Sequence, residues 1–521
     1  MKTFYREINL NFNSKTWLWL GILIMVGIWN CPWRYQVNDD VIMMWLVSGA
    51  YTGKEEFYAV FIHPILSYSF SFLYRYLNHT FSWYSLFMYA GIFYSYYLIQ
   101  TKIEEKAWNN SSKFLFKILI LAICSHLCIF PQFTLISGWL ALASWCFIID
   151  ENEQPQKKRL LLFFLGISCS MMIRIEAFLL VSIGVFYYYF LIINRNTIQK
   201  RIWIIVLFLA AIFFFSKNIF ENNSEFKDYL IFNKLRHQVI DHPVFYENSK
   251  DDLYKQDSKW YYFSKWYFQD SEIGNPDLVQ LKTILDKSYL NKDYIIKSFS
   301  RFWEVQTSEM FKGFISILLI LLFVISFPKR NNLIFFGLWI VMFFSANHLF
   351  HLRGRVVFLF FIVLLFPLLE NSRMFIKSKL PIYLGVVIIL FLGAHFSNFW
   401  KESIKREKLL SEYDQLIKLK EDDEFLMLEG FSIEYFSKRY NKENQVPFFI
   451  HGWVSRSPFQ KRALNRLGYA SLKEVEKFDL IVVNEKAPFD TKNYMEQISS
   501  NYIIADSIIT EELTLFKYSR K

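Results

Sequence analysis

Y-A-V-F-I-H-P-I-L-S-Y-S-F-S-F-L-Y-R-Y-L, residues 58–77, is as apolar as a membrane span yet carries His63, Pro64, several serines and Arg75. Whether it crosses a bilayer sets the sidedness of everything after it. The rest of the chain makes the question pressing. Of 521 residues 54% are hydrophobic and 20% aromatic, including 57 Phe and 31 Tyr, more than a soluble domain of ordinary composition carries. Apolar runs near 16–32, 81–100, 114–130, 133–150, 160–175, 177–194, 202–216, 310–327, 333–349, 355–370 and 380–397 approach or reach the length a helix needs to span hydrocarbon, giving about eleven crossings. The first run ends W-N-C-P with no small-residue cleavage site, so it reads as a retained helix. The expected fold is an α-helical polytopic membrane protein.

Charge arbitrates the status of 58–77. Lys2/Arg6/Lys15, Lys102/Lys106/Lys113, Lys157/Lys158/Arg159, Arg195/Lys200/Arg201, Lys329/Arg330 and Arg373/Lys377/Lys379 are short basic clusters that belong on the cytoplasmic side. All six fall on one side only if 58–77 does not cross, so it is expected as an interfacial or re-entrant helix. The N-terminus is then cytoplasmic. Outside lie the loop 33–80, the insert 217–309 and the tail.

The tail is a different kind of sequence. A charged helical stretch, 401–423, precedes the short apolar runs E-F-L-M-L (424–428), P-F-F-I (447–450) and F-D-L-I-V-V-N (478–484), with a helix-like S-P-F-Q-K-R-A-L-N-R-L-G (457–468) between the last two and a strand-rich end at 502–518. The expectation is a transmembrane domain, 1–400, followed by an extracytoplasmic α/β domain, 401–521. Residues 401–521 hold 20 Lys and Arg against 20 Asp and Glu, so the formal excess of +11 lies in the first 400 residues. The basic balance reflects membrane topology and implies no nucleic-acid partner. The five cysteines lie along the apolar spans, so there is no disulfide framework, and C-S-H-L-C (124–128) reads as helix packing rather than a metal site.

On this topology helix ends far apart in sequence deliver acids and bases to the outer face. Asp39 and Asp40 stand in Q-V-N-D-D-V-I-M-M-W (36–45). Arg174 and Glu176 stand in M-M-I-R-I-E-A-F. Arg353 and Arg355 stand with two histidines in N-H-L-F-H-L-R-G-R-V (347–356), and His63 precedes Pro64. Ionisable groups at membrane level mark functional sites. A carboxylate there serves as a general base on a hydroxyl, and arginines hold a phosphate and stabilise its departure. The bland alternatives are that the acidic pair caps a helix and that the arginines are interfacial anchors. The insert adds D-D-L-Y-K-Q-D-S-K-W-Y-Y-F-S-K-W-Y-F-Q-D (251–270), whose aromatic faces suit sugar rings or an interfacial belt. It also adds N-K-L-R-H-Q-V-I-D-H-P (233–243), with Arg236, His237 and Asp241 as acceptor contacts or as one amphipathic helix ending before Pro243.

N-D-D (38–40), S-G-A-Y-T-G (48–53) and I-H-P-I-L (62–66), after a first helix and before many more, resemble the acidic motif and Pro-Leu stretch of protein mannosyltransferases and aminoarabinose transferases in the GT-C superfamily of membrane glycosyltransferases. Where those enzymes have Pro-Pro-Leu, this chain has His63-Pro64-Ile65-Leu66. The resemblance implies transfer of a sugar from a polyprenyl-phosphate donor to a glycan or lipid acceptor on the extracytoplasmic side, in building the cell surface. Asp40 or Asp39 would be the base, Arg174, Arg353 and Arg355 the donor-phosphate contacts, and His63, Glu176, Arg236, His237 and Asp241 the substrate contacts. Some members use a divalent metal, Mg or Mn, beside the acidic motif; no metal ligands are assigned here.

No Walker A, G-x-G-x-x-G after a strand, H-E-x-x-H or G-x-S-x-G occurs, which argues against nucleotide hydrolysis and soluble cofactors. The rival readings are a repeat-unit polymerase and a transporter or flippase of lipid-linked glycans, neither of which requires Asp39 or Asp40, and a scaffold whose tail alone suffices.

Overall fold

The structure, a computed structural model of the full chain, describes residues 14–149, 156–190, 197–269, 272–289, 291–326, 330–370, 379–419, 425–439, 445–484 and 489–521. Among the basic residues used to set the topology, Lys2, Arg6, Arg195, Lys329, Arg373 and Lys377 lie outside these ranges, as does Glu424 of the first tail strand.

The apolar helix α1 (Ser14–Asn30) ends at Cys31-Pro32, and a short loop leads into α2 (Asn38–Ser48). α2 opens with Asp39 and Asp40 in its first turn, where unpaired N–H groups and the helix dipole favour carboxylates. It is buried from Asp40 to Ser48, and its 11 residues are too few to cross a bilayer. Gly49 closes it at φ 79°, donating its N–H to Leu46 O. A Cβ on Gly49 would stand 2.8 Å from the backbone of Lys54 and Glu55. Gly49→Ala therefore combines a left-handed backbone with a backbone clash, and a loss of about 2 kcal/mol or more is expected in equilibrium unfolding of the solubilised protein.

The stretch 58–77 forms α3 (Pro64–Tyr76), 13 residues with Pro64 in the first turn and the His63 side chain accepting the Ile65 N–H. It buries Leu66, Phe70 and Tyr74 and exposes Ile65, Tyr68, Phe72 and Tyr76 on the opposite face. That is the pattern of a helix lying along an interface. It is too short to span, in line with the charge argument.

The helices α4 (Trp83–Glu105), α5 (Asn110–Ile129) and α6 (Phe133–Ile148) follow, then α7 (Lys157–Tyr188) and α8 (Thr197–Asn223). α6 is buried along its whole length. α7 holds one non-helical residue, Arg174, at φ −159° and ψ 99°. Trp145 of α6 packs on Phe163 (ring centroids 5.0 Å apart) and donates to Ser182 Oγ at 2.9 Å. In a straight helix Phe163 and Ser182 would lie about 28 Å apart. One indole cannot reach both, so α7 folds back on itself at Arg174. Its two halves fall on the two apolar runs expected to start at 160 and 177.

The insert is helical: α9 (Lys227–Ile240), α10 (Pro243–Lys250), α11 (Ser258–Ser264), α12 (Asn275–Asp286) and α13 (Lys292–Ser308). α9 ends before Pro243, as the sequence predicts. Phe232, Val239, Phe245, Phe263, Phe268 and Leu278 form a core of the insert's own, which is where many of its aromatic residues go. The chain continues through α14 (Met310–Ser326), α15 (Arg330–Leu349), α16 (Gly354–Ile362) with α17 (Leu365–Glu370), and α18 (Leu380–Lys418). Among the described residues five helical stretches are long and apolar enough to cross a membrane: α5, α7, 200–223 within α8, α15 and α18; α1, α6 and α14 are shorter apolar helices. With α7 counted as two halves and α16 and α17 as one unit, helices stand at all eleven expected positions.

α2, α3, the insert and the tail gather at one end of the helical domain, here termed the polar face. At the other end Glu370 pairs with Lys102 at 3.4 Å and Lys106 at 3.3 Å, and Arg159 pairs with Glu105. Lys102, Lys106 and Arg159, from two of the basic clusters, thus sit at the end opposite the polar face.

α18 runs for 39 residues, so the boundary at 400/401 falls within a continuous helix that carries the chain into the tail. There β1 (Phe425–Glu429), β2 (Phe448–Phe449), α19 (Pro458–Arg466), β3 (Lys477–Val483), α20 (Asp490–Ile498), β4 (Tyr502–Ile509) and β5 (Leu513–Arg520) form a sheet in the order β2-β1-β3-β5-β4. β2, β1 and β3 are parallel, and β5 and β4 antiparallel. Period-two alternation gives the sheet two different faces. Leu426, Phe448, Ile481 and Leu515 belong to one core continuous with the membrane helices, while Phe425, Met427, Phe449 and Leu480 form a second core.

Candidate active site

A cavity of about 1380 Å³ opens on the polar face, bounded by the start of α2, the fold-back of α7, the end of α8, α9, the loop before α16 and the tail. Asp39, His63, Arg174, Glu176, Arg236, His237, Asp241, Arg353 and Arg355 all line it. Residues from 39 to 355 are thereby brought to one volume. Asp40 is absent from the lining and is completely buried.

Successive helical residues point about 100° apart. Asp39 faces the cavity, with Oδ2 3.6 Å from Arg355 Nη1. Asp40 faces α4 and α6, where its Oδ1 accepts Tyr84 Oη at 2.9 Å and the Phe133 N–H at 3.1 Å. That N–H is one of the donors a helix start leaves unpaired. Burial raises the Asp40 carboxyl well above the usual range, against the lowering effect of its two hydrogen bonds. Its Oδ2 has no hydrogen-bond partner among the described residues, which suits a protonated acid.

Arg355 and Arg353 stand at the start of α16. Arg353 Nη2 lies 2.7 Å from Asp241 Oδ1, and His237 Nδ1 lies 2.6 Å from Asp241 Oδ2. Burial would raise the Asp241 carboxyl, but these two partners outweigh it and hold the group well below its usual range. Asp241 is thus engaged in orienting Arg353. Gly354 lies against Glu309, whose carboxylate accepts from Gln36 Nε2 at 3.1 Å and Lys312 Nζ at 2.6 Å. At the fold-back, Arg174 pairs with Glu176 at 2.9 Å while its guanidinium covers the Phe61 and Phe133 rings.

His63 caps α3 through Nδ1, leaving Nε2 to meet Ser216 Oγ at 3.1 Å. Burial, with Lys217 nearby, holds its pKa down to about 4. Above the unfolded value near 6.5 both states are neutral and the cap's contribution is complete. Between 6.5 and 4 the unfolded chain takes up the proton first and stability falls, by about 3 kcal/mol across the window. His63→Asn, which keeps a capping acceptor, is expected to flatten this part of the unfolding-midpoint against pH profile.

Sequence reasoning missed several wall residues. Lys217 donates to Val60 O at 2.9 Å and pairs with Glu221, which accepts Tyr58 Oη at 2.6 Å. Their i,i+4 spacing just past the apolar run 202–216 was a usable signal. Glu434, from the tail's turn at Ile433–Phe436, lines the cavity beside Asn38, and burial raises its carboxyl. Nothing local marks it. Trp266 and Trp453 supply aromatic walls. Among the described residues no group of three or more His, Cys, Asp or Glu side chains is arranged to hold a metal ion. Cys124 and Cys128 are buried, and His126 between them bonds His395 at 3.0 Å.

No protein-family model matches the chain, and no curated protein matches it. Two crystal structures of ArnT from Cupriavidus metallidurans are similar to it at 10% identity, each over 97% of this chain and 98% of the other. The one bound to undecaprenyl phosphate gives a TM-score of 0.44 and the one in the apo state 0.41.

Proposed function

We propose that this chain is an integral membrane glycosyltransferase of GT-C type that moves a sugar from a polyprenyl-phosphate donor to a hydroxyl of a cell-surface glycan or lipid. The observation that carries the reading is the placement of the Asp39 carboxylate in a large cavity at the membrane boundary, 3.6 Å from Arg355, with Arg353, Arg174 and Lys217 also in its lining. The cationic wall suits a lipid phosphate whose charge grows as it leaves, and the carboxylate suits the acceptor proton.

Asp39 takes the proton of the acceptor hydroxyl. That oxygen forms the new bond to the anomeric carbon as the bond from that carbon to the donor phosphate oxygen breaks, and the lipid phosphate departs with the electron pair. Arg355 holds Asp39 in place and shares its charge with the phosphate; Arg353, aligned by Asp241, and Arg174 complete the clamp. Asp40 is a positioning residue that fixes the start of α2 against α4 and α6.

Lys102, Lys106 and Arg159, at the end opposite the cavity, favour a cytoplasmic N-terminus and an extracytoplasmic cavity and tail. A polymerase or flippase would place no demand on Asp39. The test follows a radiolabelled polyprenyl-phosphate sugar with host envelope acceptors and membranes containing the full chain. Label should pass to a glycan or lipid and stop doing so when Asp39 is replaced by Asn. Transfer that survives the replacement would return the chain to the polymerase or transporter classes.

A further inference from the structure

Arg236 differs from the other cavity arginines. It is 4% exposed, and its Nε and Nη2 both donate to the neutral Asn233 Oδ1, at 3.0 and 2.8 Å. Nη1 has no hydrogen-bond partner among the described residues. The carboxylates that could neutralise it are engaged elsewhere: Asp241 by His237 and Arg353, Asp39 by Arg355. A buried guanidinium with a neutral partner and spare donor capacity is costly unless an anion arrives to complete it.

Trp266 supplies the second observation. It lines the same cavity and is 37% exposed, and the Arg236 guanidinium sits 5.3 Å from its ring, with Phe268 at 5.0 Å. Its backbone is at φ 70°, a left-handed conformation that a bulky residue adopts at a cost. Glycine would remove that strain, so an exposed indole held there is a candidate for function. An indole face beside a guanidinium offers stacking for the C–H face of a sugar ring and a charge-assisted contact for an acid group on that ring.

We infer that Arg236 and Trp266 form a subsite for an anionic saccharide, a sugar bearing a carboxylate or phosphate, within the acceptor of the proposed transfer. The inference rests on the transferase reading for the word acceptor; the anion-selective saccharide site stands apart from it. The same guanidinium chemistry would serve a donor phosphate, so the test separates the two sources.

The full chain in lipid nanodiscs is titrated with glucuronate and with glucose by saturation-transfer NMR, and with undecaprenyl phosphate by calorimetry. Glucuronate is expected to bind at least 10-fold more tightly than glucose. Arg236→Gln should abolish that preference and change undecaprenyl phosphate affinity by less than 2-fold. Trp266→Gly, which relieves the backbone, should leave the unfolding midpoint unchanged or raised while weakening both sugars at least 5-fold. Equal binding of glucuronate and glucose by the parent chain overturns the subsite. So does an Arg236→Gln variant that loses undecaprenyl phosphate and keeps its sugar preference. Retained sugar preference in a chain that never binds undecaprenyl phosphate supports the subsite and overturns the transferase reading instead.

Discussion

Asp39→Asn is expected to lower transfer by roughly 10²- to 10⁴-fold, the usual contribution of a positioned general base, with no loss of folded protein. Asp40→Asn should leave transfer within roughly tenfold of the parent. The difference follows from where the two neighbours point. Asp39 is a cavity carboxylate whose nearest charge is Arg355, so an amide removes the proton acceptor and disturbs little else. Asp40 is buried with one oxygen receiving Tyr84 and the Phe133 N–H, and an Asn oxygen accepts both. Asp40→Ala leaves those two donors unpaired in the interior, at about 2–5 kcal/mol in total. The pH dependence distinguishes the roles again. Because the folded Asp40 carboxyl keeps its proton where the unfolded chain, near 3.8, releases it, its contribution is full below that value and declines as pH rises toward the folded pKa. Asp40→Asn is always neutral and should remove this slope, so at neutral pH its unfolding midpoint should equal or exceed the parent's. A ranking in which Asp40→Asn silences transfer and Asp39→Asn does not would reverse the assignment.

The helices at the eleven expected positions were legible because lipid imposes a length and a composition on any helix meant to cross it. That 58–77 would not form a full-length span was suggested by the charge parity of loops hundreds of residues away, and its 13-residue helix is short of one. The tail's strands showed as short apolar runs, whereas α20, polar and nine residues long, left no comparable mark. The choice between Asp39 and Asp40 depends on which way a helix is rotated, and Tyr84 and Phe133 set that from other elements. Glu434 reaches the cavity through tertiary packing alone. The aromatic insert read as a sugar surface or an interfacial belt because composition cannot separate Phe263 and Phe268, which build a core, from Trp266, which lines the cavity.

The tail is best understood as a wall of the site, and this carries the second large expectation. It holds the acidic loop at both ends: Tyr35 N–H donates to Ser437 Oγ at 2.9 Å, Lys438 Nζ to Cys31 O at 3.0 Å, and Val446 N–H to Ala50 O at 2.9 Å. Phe436 is the buried centre of this contact, stacked on Phe431 with centroids 5.3 Å apart, 5.1 Å from Tyr413 and 6.3 Å from Trp45 of α2. Phe436→Ala should cost about 3–5 kcal/mol and loosen the seat of α2. Leu480→Ala, on the opposite face of the same sheet, removes comparable packing from the tail's own core without touching α2. Measured per folded molecule, transfer should fall at least tenfold in Phe436→Ala and stay near the parent value in Leu480→Ala, because only the first change reaches Asp39. Equal transfer in the two would make the tail an independent binding module, as the scaffold reading requires, and would leave the geometry of Asp39 to the membrane helices alone.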